Sequence, residues 1–157
     1  MGDKEEGLTV VVEEELGAPG EDQVLLQTEH LSIDAFIRTT LEGDPGHHGT
    51  MDLNQPVMAL GVARVVQSQF DGLNQGDVVF GPIGAQTHLL MPGNMYRKLS
   101  EDQVPARSYL GALGMTTGIT AYAGMIKVAE VAEGDTVVVS AAAGAVGTMA
   151  CQFAKLS

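Results

Sequence analysis

The residues with the clearest chemical potential are three small ones near the end of the chain. Ala142, Gly144 and Gly147 fill the small positions of the dinucleotide fingerprint G-x-G-x-x-G, with alanine in the first place. Glycine at the middle position lets the backbone approach a pyrophosphate, and a following helix N-terminus offers free N–H donors. The pattern predicts a pyrophosphate-binding turn. Close packing of a strand on a helix is the alternative that these residues leave open.

The histidines and the single cysteine do not form a metal-ligand pattern. His47 and His48 are adjacent in a Pro- and Gly-rich stretch, which is typical of a solvated loop. His30 and His88 lie in alternating segments with no second ligand at zinc spacing. Cys151 has apolar neighbours at helical spacing, which indicates a small buried hydrophobe rather than a nucleophile.

Composition and charge narrow the class of protein. The 157 residues are 45% hydrophobic, and 20 acids against 8 bases give a net charge of −12. So acidic a chain is not expected to bind nucleic acid or an anionic membrane. One cysteine and no basic, apolar leader predict a reducing, cytoplasmic location. Residues 1–80 hold 15 acids and 3 bases, whereas residues 81–157 hold 5 of each, so the second half suits an anionic ligand better.

The first two thirds of the chain alternate short β-type runs with turn signals. Residues 8–15 and Gln23–Leu31 predict a half-buried antiparallel pair, and residues 61–68, 77–81 and 85–91 predict three more strands. Such a Gly-punctuated series without helical periodicity is typical of a small β-barrel. The fold class expected here is therefore mainly β.

The last third changes character. Ser100 and Gln103 have capping-box spacing, and helical periodicity follows around a Gly-rich turn at residues 114–118. Residues 134–156 then predict a Gly-Asp turn, a buried strand at 137–139, and a helix, which are the first strand, turn and helix of a parallel βαβ unit. A parallel strand needs a partner, and none follows. We therefore expect an N-terminal domain over 1–107, connecting helices with a truncated nucleotide-binding unit over 108–157, and a longer parent protein.

Three segments resemble one family. Residues 30–41 (HLSIDAFIRTTL), 110–124 (LGALGMTTGITAYAG) and 133–156 (EGDTVVVSAAAGAVGTMACQFAKL) are similar to the zinc-independent medium-chain dehydrogenase/reductases. Within that family the likeness is to the alkenal/one double-bond and prostaglandin reductases. The resemblance implies a GroES-like β-barrel followed by the start of a Rossmann-type domain.

The resemblance also implies a function. It is hydride transfer from NADP(H) to the C=C bond of a small enone or enal, with a possible homodimer. The residues implied at the cofactor are Met115, Thr116, Thr120, Ala142, Gly144, Ala145, Val146 and Gly147, and those implied on the substrate side are Phe36, Ile37 and Arg38. The catalytic donor is expected beyond Ser157. A quinone reductase on the same fold and a non-catalytic GroES-like binding module are the alternatives.

The sequence departs from the family pattern in three places. Residues 32–34 (Ser-Ile-Asp) and 59–61 (Ala-Leu-Gly) stand where zinc-dependent relatives carry ligands, so no catalytic zinc is expected. Phe36 stands where the reductase branch usually shows tyrosine. The segment Met115-Thr116-Thr117-Gly118 is one residue longer than the usual Met-Pro-Gly.

Two expectations follow for the isolated chain. With half of a pyrophosphate site it should not reduce enones by itself. The lone parallel strand from about Gly134 onward should be poorly ordered, or pair with the barrel or with another copy.

Overall fold

The computed structural model describes residues 11–41 and 55–156. Its centre is a five-stranded antiparallel sheet with the strand order β4-β1-β2-β3-β5. The strands are β1 (Gln23–Leu31), β2 (Leu60–Ser68), β3 (Val78–Pro82), β4 (His88–Pro92) and β5 (Arg97–Lys98). A short 3₁₀ turn, Gly93–Met95, links β4 to β5.

The central strand β2 is buried on both faces. Ala63 and Val65 point into one apolar cluster with Leu26, whereas Val62 points into a second cluster beside Ala106. Because side chains alternate between faces along a strand, this two-sided burial follows from the apolar run at the start of β2. The second cluster fastens the sheet to the segment that leads to the helices.

Most of the strands predicted for the first two thirds of the chain are present, and one of them is wrong. Residues 61–68, 77–81 and 85–91 overlap β2, β3 and β4. Residues 11–15 form no strand, with Val11 95% exposed, and β1 pairs with β2 and β4 instead. Because β2 and β4 pair with both edges of β1, neither edge is open to a valine run flanked by three glutamates. Residues 8–10 and the His47-His48 pair lie outside the described residues.

Helical structure follows the sheet. The short α1 (Phe36–Leu41) lies between β1 and β2, and a 3₁₀ helix spans Ala106–Tyr109. A continuous helical stretch then combines a π-helix (Met115–Ile119), α2 (Thr120–Tyr122) and a second π-helix (Ala123–Val128). The final helix is α3 (Ala145–Leu156). None of the helices in the described part of the chain is long and apolar enough to cross a membrane.

Two local expectations in this region are corrected. Ser100 does not cap a helix, because its hydroxyl binds the Asp102 carboxylate at 2.7 Å and helical structure begins only after Pro105. The predicted Gly-rich turn at residues 114–118 is helical from Met115 onward. Gly118 permits this, since a Cβ there would collide with the Ala112 carbonyl oxygen.

The terminal unit has the predicted turn and helix, but the prediction of a buried strand at residues 137–139 is wrong: the segment forms no strand and Val138 is 91% exposed. The Gly-Asp turn is present, with Gly134 at φ +93° and the Ala132 N–H donating to Asp135 Oδ2 at 2.9 Å. Residues 137–139 are not hydrogen-bonded as a strand to any part of the chain that the structure describes. The predicted face of α3 does pack: Ala150 is buried, and the ring of Phe153 lies edge-on to Tyr122 at 5.7 Å. The antiparallel sheet followed by helices confirms the mainly β fold class expected from the sequence.

Candidate functional site

A groove runs between the end of β1 and the start of α3. It has two lobes, of about 590 and 490 Å³. Both lobes are lined by five shared residues, which are Ile33, Asp34, Thr117, Gly144 and Ala145. The first lobe continues along residues 138–141 and Thr116, and the second along His30, Arg107 and Thr148. The sheet side and the Gly-rich side of the chain thus face each other across one cleft.

One wall of the groove is the Gly-rich turn. Ala141 adopts a left-handed conformation at φ +49°, and its carbonyl accepts a hydrogen bond from the Gly144 N–H at 2.8 Å. A non-glycine residue in this region costs about 1–2 kcal/mol, so the rest of the turn must hold it there. A Cβ on Gly147 would collide with that same carbonyl oxygen. Gly147 therefore permits the close seating of α3 on the turn.

The turn and the start of α3 meet the requirements of a pyrophosphate site. At Gly144 a Cβ would meet only the Ala141 oxygen, at 3.2 Å, so this glycine leaves the backbone open toward the groove. The first N–H groups of a helix have no partner inside the helix and carry partial positive charge. Ala145, Val146 and Gly147, all of which line the first lobe, begin the 12-residue α3. These residues fit a dinucleotide pyrophosphate.

The opposite wall carries a hydrogen-bonded carboxylate. Asp34 accepts a bond at Oδ2 from the Ser32 hydroxyl, at 2.7 Å, and a long bond at Oδ1 from the Thr116 hydroxyl, at 3.4 Å. Within the described residues Asp34 is the one charged side chain lining the first lobe. A carboxylate repels phosphate, so this end of the groove suits the nicotinamide part of a dinucleotide and the Gly-rich end suits the phosphates.

The structure brings only part of the predicted site together. Of the predicted cofactor residues, Thr116, Gly144, Ala145, Val146 and Gly147 line the first lobe. Met115, Thr120 and Ala142 line neither lobe. The Thr120 hydroxyl instead donates to the Met115 carbonyl at 2.9 Å, which satisfies a backbone group of the π-helix. The predicted substrate residues Phe36, Ile37 and Arg38 also lie outside both lobes, in α1, directly after the lining residue Ala35.

Sequence reasoning missed Asp34 and Thr117. A signal for Asp34 was present, because Ser-x-Asp before a short helical run is a local hydrogen-bonding motif, here realised by Ser32. Thr117 is 6% exposed and lines both lobes. Its burial depends on the π-helical geometry of Met115–Ile119, which no periodicity in the sequence announces.

A metal site in a protein requires a cluster of ligand side chains. Across residues 11–41 and 55–156, no three His, Cys, Asp or Glu side chains come together as they would around a metal ion. That catalytic zinc is not part of this site stays a prediction. Metal analysis of protein purified without chelator tests it, and stoichiometric zinc would contradict it.

A family model described as the N-terminal domain of oxidoreductase matches residues 3–99. With this match over more than half of its length, the chain belongs to the zinc-independent medium-chain dehydrogenase/reductases, in the alkenal/enone reductase branch. Proteins of this kind have a GroES-like N-terminal domain, as the resemblance implied. The division into 1–107 and 108–157 stays a prediction.

Individual relatives agree with this placement. The chain is 36% identical over 144 residues to the NADPH-dependent curcumin reductase of Escherichia coli (strain K12), covering 92% of this chain and 41% of that protein. It is 35% identical over 139 residues to the 2-alkenal reductase (NADP(+)-dependent) of Nicotiana tabacum, covering 87% and 40%. The crystal structure of CurA in complex with NADPH from Vibrio vulnificus matches with a TM-score of 0.80 at 28% identity, covering 92% and 43%. The chain thus spans about 40% of the length of these relatives.

Proposed function

We propose that this chain provides the pyrophosphate turn and the facing wall of the active site in an NADPH-dependent reductase of α,β-unsaturated aldehydes or ketones. The observation that carries the proposal is the groove in which Gly144 and Ala145, at the start of a helix, face Asp34 across two lobes. The relatives support the chemistry, since they are named as an NADPH-dependent curcumin reductase and an NADP-dependent 2-alkenal reductase.

The chemistry is supplied by the cofactor and the geometry by the protein. When bound, NADPH supplies a hydride from C4 of its nicotinamide to the β-carbon of the substrate, a proton goes to the α-carbon, and NADP⁺ leaves. The backbone N–H groups at the start of α3 bind the pyrophosphate, with Ala142 and Val146 beside it. By the family resemblance Thr116 borders the nicotinamide from within the first lobe. Met115 and Thr120 at the nicotinamide, and Phe36, Ile37 and Arg38 on the substrate side, stay predicted contacts that lie outside both lobes. The donor that holds the carbonyl oxygen of the substrate stays a prediction, expected beyond Ser157.

Part of the lining of the first lobe is apolar. Ile33 and Val139 line it, with Ala150 on the side of α3, and Ile33 is 85% exposed, so the lobe is open to solvent. A bound nucleotide would cover these side chains, and removing water from them would strengthen the electrostatic contacts that orient it. The groove thus suits a cofactor whose phosphates meet the helix and whose uncharged ring lies farther in.

Binding of NADPH to the chain is the direct test. Gly144→Asp places a carboxylate at the turn, where it would repel the pyrophosphate, and we expect the Kd for NADPH to rise at least about tenfold. Gly124→Asp is the matched control, because that glycine has nothing within 4 Å of its Cβ position and lines neither lobe. Calorimetric titration measures both variants. Equal affinities for Gly144→Asp and the unaltered chain would contradict the proposal.

Catalysis is tested separately from binding. The chain holds one side of the cofactor site, so we expect it to bind NADPH weakly and not to reduce an enone at the rate of a full-length relative. Oxidation of NADPH with a simple enal, followed by its absorbance, measures this. Turnover at a relative's rate would show that the chain carries a complete site.

We further infer a reducing, cytoplasmic location and self-association through residues 137–139.

A further inference from the structure

The segment Met115–Ile119 accommodates an additional residue by forming a π-helix. Its first four residues, 115–118, are one residue longer than the Met-Pro-Gly pattern usual in the family. A π-helix takes an extra residue into its turn, so it absorbs a single insertion without breaking the helix. The wider turn is visible in the bond from the Ile119 N–H to the Gly114 carbonyl, five residues back, at 3.0 Å.

The π-helix presents Thr116 to the groove. Thr116 lines the first lobe, and its hydroxyl reaches Asp34 Oδ1 at 3.4 Å, across 82 positions of sequence. The other carboxylate oxygen is held at 2.7 Å by Ser32, whose N–H in turn donates to the Leu60 carbonyl at 2.8 Å. A chain of hydrogen bonds therefore runs from β2 through the loop of residues 32–35 to the π-helix.

We propose that Thr116 is a positioning residue: acting through Asp34, it sets the distance of the loop of residues 32–35 from the Gly-rich turn and so the fit of the groove to a nicotinamide nucleotide. The nature of the ligand rests on the proposed function. The Thr116 bond is long and the Ser32 bond is short, so the carboxylate is fixed on the loop side and adjustable on the helix side. The helix can then tighten on the loop when a ligand fills the lobe.

Paired substitutions at Thr116 test the role of its hydroxyl. Thr116→Val keeps the shape and removes the donor, and we expect the Kd for NADPH to rise roughly threefold to tenfold. Thr116→Ser restores the donor and should return the Kd to within about twofold of the original. Thr87→Val, at an exposed threonine that lines neither lobe, is the control and should leave the Kd unchanged.

Substitutions at Asp34 separate hydrogen bonding from charge. The amide oxygen of Asp34→Asn can accept from the Thr116 hydroxyl, and its NH₂ group can donate to the Ser32 hydroxyl. The side chain carries no charge. This variant should therefore bind NADPH at least as tightly as the unaltered chain. Asp34→Ala loses both bonds and should bind more weakly, as Thr116→Val does. Binding by Asp34→Asn as weak as that by Asp34→Ala would overturn the proposal, because it would mean that the charge of Asp34 and not its hydrogen bonds matters.

A measurement without ligand keeps the inference independent of the proposed function. In amide NMR spectra, Thr116→Val and deletion of Thr116 should both shift the signals of residues 32–35, and Thr116→Ser should not. If the unaltered chain does not bind NADPH, the proposed function fails, and these shifts alone support the positioning role. Unchanged signals in residues 32–35, or equal effects of valine and serine, overturn it.

Discussion

The backbone of Ala141 fills the space that a Cβ on Gly147 would need. The Ala141 carbonyl oxygen and the Ala142 Cα, the latter at 2.8 Å, both meet that position. Since both are backbone atoms, neither can turn away as a side chain would. The seat of α3 on the Gly-rich turn therefore depends on a hydrogen at position 147, whether or not a ligand is bound.

Gly147→Ala should displace the start of α3 from the turn. We expect it to destabilise the chain by about 1–3 kcal/mol, the usual cost of overpacking, and to weaken NADPH binding with it. Gly124→Ala is the matched control, since it lies in a helical stretch with nothing within 4 Å of its Cβ position. That change should stabilise by about 0.5–1 kcal/mol through helix propensity. Urea unfolding measures both. Two equal shifts of the same sign would contradict the packing argument.

Neighbouring valines on β2 give a test of the sheet core. Val65 is 1% exposed and packs in the first apolar cluster, whereas Val66 is 36% exposed. Val65→Ala should cost about 2 kcal/mol because it removes buried methyl groups and leaves a cavity, and Val66→Ala should cost less than about 0.5 kcal/mol. Thermal and urea unfolding compare the pair. A larger loss at Val66 would show that the two faces of β2 have been assigned the wrong way round.

Elements that depend on local signals were predictable from the sequence. Strands β2 and β3 are apolar runs bounded by glycine and asparagine turns, and α3 has its apolar residues at helical spacing. The residues at 8–15 show the limit of that reasoning. A β-branched run forms a strand only where a partner strand and a buried face exist. Strand β1, the partner predicted for residues 8–15, is already paired along both edges with β2 and β4.

The site was half predictable for a similar reason. Gly144 and Gly147 were predictable because they belong to one short motif. Asp34 was not, because its role depends on a hydrogen bond from Thr116, 82 positions away. Such a contact depends on how the sheet is attached to the helices. It also depends on a π-helix, whose additional residue per turn obscures helical periodicity.

Acid should destabilise the chain in part through Asp77. A hydrogen bond from Lys98 Nζ, at 2.7 Å, and one from the Asn74 N–H, at 2.9 Å, lower the pKa of Asp77 below its ordinary value of 3.8. A carboxyl with a depressed pKa in the folded state stabilises it above the unfolded pKa, and this stability is lost as the pH falls through the folded pKa. We expect Asp77→Asn to flatten the decline in stability below about pH 4. Urea midpoints between neutral and acid pH measure it, and an unchanged acid limb would contradict the assignment.

Alkaline pH should lower the stability of the folded chain in part through Tyr96. Its hydroxyl donates to the Pro82 carbonyl at 2.8 Å, and burial raises its pKa from 10.0 to about 12. The unfolded chain releases this proton first, so stability is present below pH 10 and is lost as the pH rises toward 12. Tyr96→Phe should lose about 1 kcal/mol at neutral pH and show a shallower alkaline decline. Phenolate absorbance should show a transition near pH 12 that Tyr96→Phe removes, and persistence of that transition in Tyr96→Phe would contradict the prediction.

Residues 137–139 pair with no strand within residues 11–41 and 55–156, and the valine at their centre is exposed. Val138 is 91% exposed, although valine runs of this kind belong to strands covered on both faces. Unpaired backbone groups beside exposed valines invite pairing with another chain. We therefore expect the isolated chain to self-associate through this segment as its concentration rises.

Val138→Lys should weaken that association, because a charge on the strand face opposes edge pairing. Val128→Lys is the control, since Val128 is similarly exposed at 81% but ends a helical stretch. Sedimentation velocity between about 10 μM and 500 μM measures self-association, and mass action predicts a rise in mean mass that Val138→Lys suppresses and Val128→Lys does not. Hydrogen exchange supplies the second readout. Amides of residues 137–139 should gain protection at high concentration, whereas strong protection in a dilute monomer would mean that the segment pairs within its own chain.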